Sequence, residues 1–101
     1  MEQIRSYLGG EWVVGEGPAT TLVNPATEAA IASTSTRGLD FNAAMRFARE
    51  TGGPALRAMT FAQRGAVLRA MSEAVVAARN ELLELSMINN GATRSDAKFD
   101  V

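Results

Sequence analysis

The chain contains neither cysteine nor histidine. Their absence removes thiolate nucleophiles, disulfides, imidazole bases and the customary zinc ligand sets, and with them triad hydrolysis. Charge of one sign is lacking as well. Nine arginines and one lysine are spread among eleven acidic residues, for a net charge of −1, so no basic face offers itself to nucleic acid or anionic lipid. Nor is there a long hydrophobic run: the longest wholly apolar stretch, Ala74 to Ala78, has five members, against the roughly 20 that a membrane span requires. Met1-Glu2-Gln3-Ile4-Arg5 has no apolar signal core. These absences predict a cytoplasmic chain with no nucleic-acid or membrane partner.

What is present fits one small domain of 101 residues with 47 % apolar content. Eighteen of the apolar positions are alanine, so bulky side chains for a core are few and independent stability is not expected. Residues 6–14 read as a strand carrying Tyr7, Trp12, Val13 and Val14, with Gly9-Gly10 as a bend or bulge. Gly15-Glu16-Gly17-Pro18 turns the chain into a second strand, Thr20 to Val23, stopped by Asn24-Pro25. A third extended run covers Ala30 to Ser35.

After Gly38 the apolar period lengthens to 3.6, and Asp40 is the expected cap of a helix ending near Gly52-Gly53-Pro54. Thr60-Phe61-Ala62-Gln63 has the form of a capping box. Behind it Val67, Leu68, Met71, Ala74, Val75 and Ala78 draw an apolar stripe, with Arg64, Arg69, Glu73 and Arg79 assigned to the wet side. A further helix is expected from Asn80 through Ile88, closed by Gly91, and another opens at Thr93-Arg94-Ser95-Asp96. That last helix is too short to stand unaided before Val101, which predicts a longer parent polypeptide.

Candidate chemistry is sparse. Glu81 and Glu84 sit three apart and read as a solvated surface rather than an acid–base pair. Gly15-Glu16-Gly17 and Gly52-Gly53-Pro54 read as turns, since neither completes a phosphate-binding pattern. The Val67, Leu68, Met71, Val75 stripe reads as core before partner groove, and Trp12 as packed on a helix before ligand anchor. Arg57 and Arg94 read as capping or salt-bridge residues before anion ligands. The sequence thus assigns no catalytic, cofactor-binding or metal-binding residue.

Several words of the sequence nevertheless resemble the amino terminus of the aldehyde dehydrogenase superfamily. They are Gly9-Gly10-Glu11-Trp12, Val23-Asn24-Pro25-Ala26-Thr27 and the helical pair Thr60 to Gly91. Gly38-Leu39-Asp40, the run Gly53 to Phe61 with Arg64, and Gly91 to Asp96 resemble the branch that oxidises CoA-bound semialdehydes in phenylacetate and benzoyl-CoA breakdown. The resemblance implies an α/β fold: an amino-terminal β-hairpin region, residues 1–37, then a helical segment, residues 38–101, of an incomplete NAD(P)-binding domain. It implies NADP or NAD as cofactor of the full-length parent, a homo-oligomer, and catalytic Cys, Glu and Asn residues beyond the matched region. Some family members hold a monovalent cation where this chain has the Leu22 and Val23 carbonyls and Asn89; a neutral amide serves a hard cation less well than a carboxylate. Ala26-Thr27-Glu28-Ala29 also departs from the family's turn in lacking a glycine after Ala-Thr, and Ala97-Lys98-Phe99 differs from the usual Ser-Trp of the bifunctional phenylacetate-degrading members.

Two readings follow. The first is the scaffold piece of an NAD(P)-dependent oxidoreductase, inactive alone, whose partner is the rest of the polypeptide. The second is a free-standing helical interaction or oligomerisation domain without catalysis.

Overall fold

Gly9 and Gly10 both adopt positive φ, +60° and +84°, the backbone that a two-residue hairpin turn demands and that glycine adopts without strain. They join β1 (Ser6–Leu8) to β2 (Glu11–Val13) in antiparallel register, Tyr7 opposite Trp12. The single bent strand expected over residues 6–14 is therefore a hairpin, with the glycine pair as its turn. A second antiparallel hairpin follows, β3 (Thr20–Val23) with β4 (Ala30–Thr34), its register shifting between Leu22 and Val23. Asn24 closes its turn: the side chain accepts from Ala26 N–H at 2.9 Å, and the main chain pairs with Ala29 and Glu28.

The computed structural model describes residues 1–101, and its two sheets are stitched together by the segments around them. Ile4 N–H donates to Ser33 O and Ser33 N–H to Glu2 O, while Gln3 Nε2 reaches Gly15 O at 3.1 Å. Gly15 is buried so closely against β4 that a Cβ there would lie 1.9 Å from Ser35 O.

The helices begin at α1 (Phe41–Phe47), where the Asp40 carboxylate accepts from Ala43 N–H at 2.9 Å. Gly52-Gly53-Pro54 does not end this helical stretch. A π-helical turn, Ala48–Gly52, carries the chain into α2 (Gly53–Ala58) with proline in the first turn, where its missing N–H costs no hydrogen bond. The break comes at Met59, which is extended. Thr60 and Gln63 form the expected capping box of α3 (Phe61–Ala77): Thr60 N–H donates to Gln63 Oε1 at 2.8 Å and Gln63 N–H to Thr60 Oγ1 at 3.1 Å. α4 (Arg79–Asn90) starts from Ala78 with no side-chain cap, so Asn80 lies inside the helix rather than at its start; Gly91, left-handed at φ +65°, closes it. In α5 (Arg94–Asp100) Thr93 caps the Asp96 N–H at 3.2 Å.

Mixed α/β architecture thus stands as expected, but the core does not. Only three residues are buried, Gly15, Leu83 and Ala97, the last two where α4 and α5 pack on each other. The molecule measures 48 × 36 × 15 Å. Its shortest dimension is barely more than one helix across, so a second packing layer is missing over most of it. The radius of gyration is 17.3 Å, against about 13 Å for a compact chain of this length. The exposed area of 7821 Å² exceeds by about 2,300 Å² the area typical of a compact protein of this mass.

Candidate functional site

The helix that carries the expected apolar stripe is the most exposed element of the fold. Along α3 only Arg64 is even half-buried. Val67, Leu68, Met71, Val75 and Val76 all stand in solvent, Leu68 at 66 % exposure. The core role assigned to Val67, Leu68, Met71 and Val75 from sequence is thus corrected: within this chain all four side chains stay exposed, and of the stripe only Ala78, where α3 meets α4, is half-buried. On the other side of α3, Ala62, Gly65, Ala66 and Ala70 line a shallow groove of about 500 Å³ flanked by Arg69 and Glu73. A Cβ on Gly65 would meet nothing within 4 Å. One side of α3 is bulky and apolar, and the other mixes small residues with Arg69 and Glu73. A helix with that distribution is suited to burial of its bulky side, with close approach on the other limited to a partner that meets the two charges.

Arg64 is also placed differently from its expected position on the wet side. Arg64, Leu68, Met71 and Val75 follow i, i+4, i+7, i+11 and so line one face of the helix. Its guanidinium carbon lies 4.6 Å from the centre of the Phe61 ring, and its Nε is shielded from solvent without a hydrogen-bond partner.

Trp12 does not pack on a helix. It is 61 % exposed, 5.0 Å from the Tyr7 ring and 5.2 Å from the Arg5 guanidinium carbon. Arg94 makes an ion pair with Glu84 across α4 and α5, both side chains about half exposed, as the salt-bridge reading expected. Arg57 folds back towards Gly53 in its own helix. Asn89 donates its amide to Asn90 Oδ1 at 3.1 Å, while Leu22 and Val23 lie in the β3–β4 ladder. No group of three or more Asp or Glu side chains converges.

An open groove of about 380 Å³ separates the first hairpin from α1, lined by Leu8, Val13, Leu39, Ala43 and Phe47 with Asp40 at its edge. It offers apolar walls and one carboxylate that already caps α1. These features do not fit a dinucleotide. Each helix start with a side-chain cap, at Asp40, Thr60 and Thr93, has a backbone donor already engaged, and an anionic cap such as Asp40 repels phosphate.

The most exposed feature of the chain is therefore the apolar surface of α3, and the comparisons with known proteins bear on the chain's family. Residues 12–101 match the aldehyde dehydrogenase family model. The chain is 40 % identical over 99 residues to the 3,4-dehydroadipyl-CoA semialdehyde dehydrogenase of Aromatoleum evansii. That similarity covers 98 % of this chain and 19 % of the relative's length. Matched along nearly all of its hairpins and helices, the chain belongs to the aldehyde dehydrogenase family, as an amino-terminal part of it.

Proposed function

We propose that residues 1–101 act as a scaffold within an NAD(P)-dependent aldehyde dehydrogenase that oxidises a CoA-linked semialdehyde to the acid in aromatic-compound degradation. Residues 1–37 supply the hairpins and residues 38–101 the helices that flank its cofactor-binding domain. The parent enzyme is cytoplasmic and homo-oligomeric, and its cofactor is NADP or NAD. The observation that carries this reading is the single-layer shape of the chain with α3 exposed on both sides. Such a surface supports its own burial against a larger body, and a preorganised active site needs a packed frame of this kind.

Aldehyde oxidation needs a nucleophile for the carbonyl, a base for water and an acceptor for hydride. The chain has no Cys to attack the carbonyl, its carboxylates line no enclosed pocket, and no loop is suited to a dinucleotide. These features support a contribution of position, with the catalytic groups in the rest of the proposed enzyme. The assay is direct. A full-length polypeptide beginning with this sequence should reduce NADP or NAD with a CoA-linked semialdehyde, while the 101-residue chain should not, and should bind a hydrophobic dye and unfold with a shallow denaturant slope. Sharp cooperative melting of the isolated chain as a compact monomer would support the free-standing interaction domain instead.

A further inference from the structure

A cation stands at the amino-terminal end of the apolar face that α3 presents. Arg64 shares its helix face with Leu68, Met71 and Val75, its Nε is already cut off from water, and no protein atom accepts from it. The other charged groups of α3 are Arg69 and Glu73, and those of α4, which packs beside it, are Arg79, Glu81 and Glu84. None of the three acids forms an ion pair with Arg64; Glu84 pairs with Arg94. The only partner in reach is the π face of Phe61, itself 85 % exposed.

Covering this face removes the remaining water from a guanidinium whose five donors cannot be discharged by deprotonation. A buried arginine left without an acceptor costs several kcal/mol, whereas a carboxylate with good geometry offsets that cost. Arginine's planar fork matches a carboxylate in two parallel hydrogen bonds, a match that a single carbonyl does not offer.

We infer that the segment of the full-length polypeptide that covers α3 carries a carboxylate that pairs with Arg64 inside the apolar contact. The occupant is the chain's own continuation, because the relative matched here is roughly five times longer than the aligned region, which makes up 19 % of its length. This inference rests on the proposed scaffold role and adds the chemistry of the docking partner. Arg64 is a positioning residue that sets the register of that contact, with no direct part in the reaction.

The experiment uses the full-length enzyme with Arg64→Met, Arg64→Gln and Arg64→Lys, following thermal midpoints from pH 8 to pH 5. At pH 8 the Met and Gln variants should melt at least about 5 °C below wild type, with Lys between them and wild type. In wild type the partner carboxylate has a depressed pKa, so its contribution is present above the ordinary carboxylate range and lost only as pH falls through the depressed value. In the Met and Gln variants that carboxylate is buried unpaired and its pKa is raised, so protonation relieves the penalty and the gap to wild type narrows as pH falls. A gap that stays constant with pH, with Gln as stable as Lys, would assign a backbone carbonyl and overturn the inference. So would Met or Gln melting at or above wild type. Should Met fail to fold, the Gln and Lys profiles carry the same comparison. Aldehyde oxidation by the wild-type enzyme, measured separately, tests the scaffold reading itself.

Discussion

Gly91, the left-handed closing residue of α4, lies directly against Pro25 of the Asn-Pro turn: a Cβ at Gly91 would stand 3.1 Å from Pro25 Cγ and 3.1 Å from Ala26 N. Two distant words of the sequence thus meet, and glycine is required there twice over. Its φ of +65° costs an L-residue about 1–2 kcal/mol, and the approach of the second hairpin is so close that a methyl group would have to push Pro25 and Ala26 aside. Gly91→Ala should lower the thermal midpoint of the full-length polypeptide by several degrees. An unchanged midpoint would mean that the hairpin and α4 move apart freely.

The same turn carries the one non-glycine residue with positive φ, Glu28 at +61°. Glu28 stands where the turn of the resembled family has a glycine after Ala-Thr, and the backbone shows why glycine is favoured: Glu28 holds a left-handed conformation. Glu28→Gly should therefore stabilise the protein by about 0.5–1 kcal/mol, the relief of strain exceeding the added freedom of the unfolded chain. Chemical denaturation of the two proteins side by side decides it, and a loss of stability would show that the Glu28 side chain makes a contact worth more than the strain.

These positions also show what was legible in advance. Caps at Asp40, Thr60 and Thr93 were readable because each is a hydrogen bond across three residues, complete within the local sequence. Gly9-Gly10 was read as a bend because the apolar residues on both sides looked continuous; only the pairing of Tyr7 with Trp12 reveals two strands. Gly52-Gly53-Pro54 was read as a stop, yet Gly52 and Gly53 both have helical φ and ψ, and proline in a first turn is as compatible with restarting a helix as with ending one. The face of Arg64 was misassigned because its charge suggested water, although its spacing from Leu68, Met71 and Val75 placed it among the apolar side chains. As for the site, aldehyde chemistry was legible only through resemblance, since no spacing of acidic or glycine residues in this sequence forms a recognisable catalytic or phosphate-binding pattern.

The Arg94–Glu84 pair joins α5 to α4 at the surface, with side chains 50 % and 59 % exposed. Solvent screening and the entropy of two long side chains limit such a pair to roughly 0–1 kcal/mol. Glu84→Gln should accordingly shift the denaturation midpoint only slightly, and raising salt should shrink even that difference. A large effect would indicate that the pair becomes buried when the rest of the enzyme is present.

Gly65 offers a comparison whose sign depends on what covers α3. In the exposed chain its Cβ position is open, with nothing within 4 Å, and it lies inside a helix where glycine is about 1 kcal/mol worse than alanine. Gly65→Ala should therefore raise the helical signal of the isolated 101-residue chain in far-ultraviolet circular dichroism. In the full-length enzyme the same methyl group would project into the groove formed with Ala62, Ala66 and Ala70, where small side chains permit a neighbouring element to approach closely. Overpacking there typically costs about 1–3 kcal/mol, enough to outweigh the propensity gain and lower the melting temperature. Opposite signs in the two proteins would locate a close contact on the small side of α3. Stabilisation in both would show that this side remains open in the assembled enzyme and that only the bulky face around Arg64 is covered.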